Sequence, residues 1–176
     1  MEKVAIVGHS FVRRLREFLD DHPEKDRHFG MDRRRVHLLD CGGIKMFDVR
    51  KTFEEKIQKL NPDWVIVVLG DNDVNNKRFK MDGLATMIIE VAFEYLRSRD
   101  IPVVITNLMP RYRGDHHWAG WFNRSYNKRV PVVNEEIRLQ SGLYQRASYW
   151  NHKFAVFPTN EVDVFYIFEL HYTSKK

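Results

Sequence analysis

Apolar residues follow two periods along this chain: short unbroken runs alternate with segments where they recur every three or four positions. Val4-Ala5-Ile6-Val7 is the first run, and continuous apolar character of this kind marks a strand buried on both faces of a parallel sheet. From Ser10 onward, Phe11, Leu15, Phe18 and Leu19 fall at helical spacing until the polar stretch 20–26. A second strand, Val36-His37-Leu38-Leu39-Asp40, closes on Cys41-Gly42-Gly43, and residues 45–60 carry Met46, Phe47, Val49, Phe53, Ile57 and Leu60 as one helical stripe. Asn61-Pro62 ends that helix. Residues 63–69 form the most apolar strand and run into Gly70-Asp71-Asn72-Asp73. A long helix is expected over 81–99, a fourth strand over 101–108 and an irregular loop over 112–123. A helix over 125–139 has Pro131 near its start or at a kink, and a short fifth strand covers 154–157.

This β-α-β-α rhythm predicts an α/β fold, a three-layer sandwich with a central parallel five-stranded sheet and helices on both faces. Residues 4–7 and 64–69, buried on both sides, belong near its centre. Neither repeats nor a linker interrupt the pattern, so a single domain is expected.

Composition narrows the classes without choosing among them. In 176 residues, 43% hydrophobic content suffices for a core, and 30% charged residues without low-complexity tracts argue against disorder. No apolar run approaches membrane-spanning length, and no signal-peptide pattern opens the chain. One cysteine, Cys41, excludes an internal disulfide and a multi-cysteine zinc site, which fits a reducing, cytoplasmic setting. Cys41 itself reads as a small buried residue at a strand end. A formal charge of +5 permits contact with nucleic acid.

Three turns fall at equivalent places, Gly8-His9-Ser10, Cys41-Gly42-Gly43 and Gly70-Asp71-Asn72-Asp73. Each follows a strand, and open α/β sheets gather such turns along the carboxyl edge where ligands bind. A hydroxyl, glycine N–H groups and an asparagine amide would meet there, which is the set acyl transfer requires. Ser10 has two readings at this stage, a nucleophile or a plain helix cap. Asp73 reads as a cap for the segment after it.

At these residues the chain resembles the SGNH (GDSL-type) hydrolase superfamily. Gly8-His9-Ser10 matches the first block, with His9 where the family has aspartate; Gly42 or Gly43 matches the second-block glycine; Gly70-Asp71-Asn72-Asp73 matches Gly-x-Asn-Asp of the third. The run from Gly8 to Leu15, Asn61-Pro62-Asp63 and Tyr126-Asn127-Lys128-Arg129-Val130 are similar to a divergent animal subgroup that accompanies retroelement-derived sequences. The resemblance implies a flavodoxin-like SGNH fold over 1–159, a small acyl or acetyl ester substrate, no cofactor and no metal. It also implies catalysis by Ser10, Gly42, Gly43, Asn72 and His171. The family's final Asp-x-x-His block is degraded here to Phe168-Glu169-Leu170-His171, leaving Glu169 or Asp163 as the carboxylate behind His171. Residues 160–176 read as an atypical segment in place of that block and its helix.

Two hypotheses follow. One is a serine esterase or acylhydrolase, weakened by its last block. The other is a catalytically impaired SGNH-like module that binds RNA or a protein partner. RNA would use two basic clusters, Arg33-Arg34-Arg35 and Arg111, Arg113, Arg124, Lys128 and Arg129, with Trp118, Trp121 and Phe122 beside the second. The oligomeric state is not written in the pattern. His116 and His117 next to Asp115 fall short of the ligand set of a zinc site and read as solvated loop.

Overall fold

The computed structural model describes residues 1–31, 33–110, 117–144 and 147–150, without the side chains of 94–99, 117–123 and 147. Along the chain run β1 (Glu2–Gly8), α1 (Ser10–Asp21), β2 (Arg34–Asp40), α2 (Met46–Leu60), β3 (Trp64–Val68), α3 (Met81–Arg99), β4 (Val103–Thr106), α4 (His117–Ser141) and β5 (Ala147–Trp150). The strands pair in parallel throughout, in the order β2-β1-β3-β4-β5. This is the doubly wound order in which the winding reverses between β1 and β3, leaving a crevice at their carboxyl ends.

Period-two alternation within β1 divides the core into two layers. Val4 and Ile6 point to one face and pack with Val12, Leu15 and Leu19 of α1. Ala5 and Val7 point to the other, against Met46, Val49, Phe53 and Ile57 of α2 and the apolar stripes of α3 and α4. All four are at most 3% exposed, so each of the larger ones contributes roughly 1.5–3 kcal/mol of burial. β3 lies at the middle of the sheet with β1 beside it, as their unbroken apolar runs imply.

Two elements differ from the sequence expectation. The last strand is Ala147–Trp150, pairing with β4 at the sheet edge; residues 154–157 lie outside the described residues. An edge strand needs no continuous apolar run, and Ser148 is exposed within it. Helix α4 starts at His117, so residues 117–123 are helical, not an irregular loop. Pro131 stands inside this helix. Its ring lies on the exposed side, while Tyr126, Val130, Val133 and Ile137 bury the opposite stripe, and that packing holds the helix across the missing N–H.

Candidate functional site

The three turns at the carboxyl edge are tied to one another by hydrogen bonds. Cys41 N–H donates to the Gly8 carbonyl at 3.0 Å, joining the turns after β2 and β1. The Asn72 side-chain amide donates to the Ile44 carbonyl at 2.9 Å, and Met46 N–H donates to Asp73 Oδ2 at 2.9 Å, joining the turns after β3 and β2. Between β1 and β3 the link is a hydrogen bond to a carboxylate: His9 Nε2 lies 2.6 Å from Asp71 Oδ2, with both side chains buried. Two glycines let helices pack closely against these turns. A β-carbon on Gly8 would lie 2.3 Å from Val12 Cγ2, and one on Gly70, where φ is +108°, would lie 2.6 Å from Ile88 Cδ1.

Ser10 is not the helix cap. His9 occupies that position, its Nδ1 accepting the Phe11 N–H at 3.3 Å, and Ser10 is the first helical residue. This corrects one of the two sequence readings, for the capping role has moved one residue back and the hydroxyl is left to other partners. Ser10 is half-buried, and its Oγ lies 3.5 Å from His9 Nδ1. Asp73 likewise caps an earlier element and not the segment after it: its Oδ2 serves α2, whose own Lys45 provides no side-chain cap.

His9, Asp71 and Tyr126 form a buried polar chain that no spacing announced. Tyr126, fully buried on α4, donates its hydroxyl to Asp71 Oδ1 and has the Met109 carbonyl at 3.1 Å. One hydroxyl proton faces two acceptors, and the carboxylate is the stronger. The imidazole tautomer follows from its neighbours: Nδ1 accepts from Phe11, so the ring proton sits on Nε2 and points at Asp71. The signal available in the sequence was a histidine at the family's aspartate position and a carboxylate directly after Gly70.

Gly42 and Gly43 are exposed, Gly43 at φ +73°, and Asn72 is half-buried. His171, Glu169 and Asp163 lie outside the described residues, as do Arg111, Arg113, Asp115 and His116. Within the basic clusters, Arg34 pairs with Glu2 at 2.7 Å and covers the Trp64 ring, and Arg129 donates to the Val74 carbonyl at 2.7 Å. These two cations support the fold. Cys41 is partly buried against the core. Among the described residues no cluster of three His, Cys, Asp or Glu side chains forms, and no helix is long and apolar enough to cross a membrane.

No protein-family model and no curated protein matches the chain. Solved structures do. A GDSL-like lipase from Bacteroides thetaiotaomicron is 19% identical with a TM-score of 0.62, covering 85% of this chain and 68% of that one. A Bacteroides fragilis protein assigned as an acylhydrolase is 17% identical with a TM-score of 0.62, over 85% and 67%. The aryl esterase of M. smegmatis is 13% identical with a TM-score of 0.66, over 86% and 84%. The chain thus spans about two thirds of the length of the two Bacteroides proteins. At these identities the likeness is one of fold, the parallel α/β sandwich of SGNH-type hydrolases.

Proposed function

We propose that this chain is an SGNH-type ester hydrolase with Ser10 as its nucleophile. The observation that carries the reading is the mutual hydrogen bonding of the three strand-end turns, which gathers Ser10, Gly42-Gly43 and Asn72 at one sheet edge. Ser10 stands at the start of α1, where its own N–H has no intrahelical acceptor by position. Attack by its hydroxyl on an ester carbonyl would place the developing oxyanion against that N–H, a Gly42 or Gly43 N–H and the Asn72 amide. An amide NH2 has two hydrogens, so Asn72 can hold the Ile44 carbonyl with one and offer the other. Each such donor typically contributes about 10²–10³ in turnover. The shared fold with esterases and the block resemblance support the same chemistry and favour a small acyl or acetyl ester. Membership of the retroelement-associated subgroup is part of this proposal and rests on the quoted motifs alone.

Hydrolysis of p-nitrophenyl acetate tests the reading. The parent protein should turn over the ester, a fluorophosphonate should add to Ser10 stoichiometrically by intact mass, and Ser10→Ala should lose both. Ser10→Ala hydrolysing as fast as the parent would reject it.

A further inference from the structure

We infer that His9 is the general base of this site, held by Asp71 and, behind it, Tyr126, so that the relay a distant final block would provide is assembled from the first turn, the third turn and α4. The inference rests on the reading of Ser10 as nucleophile. Three features carry it. His9 Nδ1 lies 3.5 Å from Ser10 Oγ, the outer limit of a hydrogen bond and a length common between catalytic groups before substrate binds. The ring is in the tautomer a base needs, with an unprotonated nitrogen toward the nucleophile and its N–H on a carboxylate. That carboxylate is itself oriented by the buried Tyr126 hydroxyl. His9, Asp71 and Tyr126 are 5%, 8% and 0% exposed, so the only group of the four at the surface is the serine.

The step balances without any co-reactant but water. The Ser10 hydroxyl proton passes to His9 Nδ1 as Oγ bonds to the carbonyl carbon, and the carbonyl pair moves onto oxygen. Collapse breaks the bond to the leaving alkoxide, which takes the proton from Nδ1. Water then attacks the acyl-serine, gives one proton to Nδ1, and the second collapse expels Ser10 Oγ, which recovers it. Throughout, the Nε2 proton stays on His9 and is donated to the Asp71 carboxylate, which stabilises the transient imidazolium. The Phe11 N–H shares the Nδ1 lone pair at 3.3 Å and must be released when that nitrogen is protonated. The capping bond therefore opposes the base, and a slow enzyme is expected.

The capping role also provides the control. Asparagine is among the best N-caps, so His9→Asn keeps an acceptor for Phe11 while removing the base. Ser10→Ala should abolish hydrolysis of p-nitrophenyl acetate; if it does not, the nucleophile reading fails before His9 is in question. Given an inactive Ser10→Ala, His9→Asn should lower kcat about 10²–10⁴-fold while staying folded at a reduced melting temperature, since Asp71 loses a buried partner, and the double variant should be no slower than Ser10→Ala alone. A purely structural histidine would leave His9→Asn within about threefold of the parent, far short of the loss of a base, and that result overturns the inference. Should His9→Asn not fold, Asp71→Asn decides by the rate of fluorophosphonate labelling at Ser10. A loss of about 10² or more supports the relay, because tautomer control is gone, and a parent-like rate overturns it.

Discussion

The carboxylate of Asp73 caps a helix that begins at Met46, its Oδ2 accepting the Met46 N–H at 2.9 Å from the turn after the next strand. Lys45, the residue in the cap position, offers no side-chain acceptor. The second and third turns of the candidate site are therefore fastened by a helix-capping bond as well as by Asn72. Replacing Asp73 with alanine removes the cap inside a buried environment and should destabilise the protein by about 1–3 kcal/mol in urea unfolding. Asp73→Asn, which keeps an oxygen acceptor, should lose much less. Equal losses in both variants would show that the charge, and not the cap, is what matters.

Gly70 and Gly83 should respond in opposite directions to alanine. Gly70 is held at φ +108° with Ile88 Cδ1 2.6 Å from any added β-carbon, so Gly70→Ala should cost about 1–3 kcal/mol. Gly83 lies in α3 with open space around it, and Gly83→Ala should stabilise by about 0.5–1 kcal/mol through the unfolded chain's lost freedom. Thermal melts of the two variants check both signs.

The difference between what was legible and what was not follows from where each signal resides. β1 and β3 are readable because burial on both faces leaves unbroken apolar runs, and the turns after them are readable because Gly8 and Gly70 sit where a β-carbon would collide. β5 left no such run because it is an edge strand, and the first turns of α4 were hidden by an aromatic, glycine-containing stretch. The polar chain behind Ser10 is the deeper omission. His9 meets Asp71 across 62 positions and Asp71 meets Tyr126 across 55, contacts made by the sheet order and by α4 reaching the turn after β3. Local periodicity carries no trace of such pairings. His9 could be seen to replace the family's aspartate, but what the replacement touches is a tertiary fact.

His37 should make the fold acid-sensitive. Desolvation holds its imidazole below the ordinary 6.5, with Lys3, Arg35 and His28 adding repulsion, and its Nε2 is buried without a protein partner among the described residues. A histidine whose folded pKa is depressed binds fewer protons in the native state. Stability is then complete above the unfolded pKa and is lost as pH falls from about 6.5 through the folded value. Asp26, held low chiefly by the Gly30 and His28 N–H groups, acts only below its ordinary 3.8 and does not overlap this window. Melting temperature should therefore fall between pH 7.5 and 5.5, and the fall should be smaller in His37→Gln. An unchanged slope in that variant would assign the acid sensitivity elsewhere.

Asn72 separates catalysis from stability most directly. Its amide holds the Ile44 carbonyl at 2.9 Å, a bond whose net contribution is about 1 kcal/mol, so Asn72→Ala should melt only slightly below the parent. If the same amide donates to the oxyanion, kcat for p-nitrophenyl acetate should drop about 10²–10³-fold with little change in KM, because the interaction exists only in the transition state. Asn72→Asp should be slower still. Its carboxylate cannot donate to either the Ile44 carbonyl or the oxyanion, and it brings negative charge to where negative charge develops. A variant that retains kcat while Ser10→Ala is inactive would leave the nucleophile in place and assign Asn72 only to fastening the third turn to the second. That outcome would move oxyanion stabilisation to the Ser10 and Gly42-Gly43 N–H groups. Activity should then be most sensitive to Gly43, whose φ of +73° a β-carbon would strain.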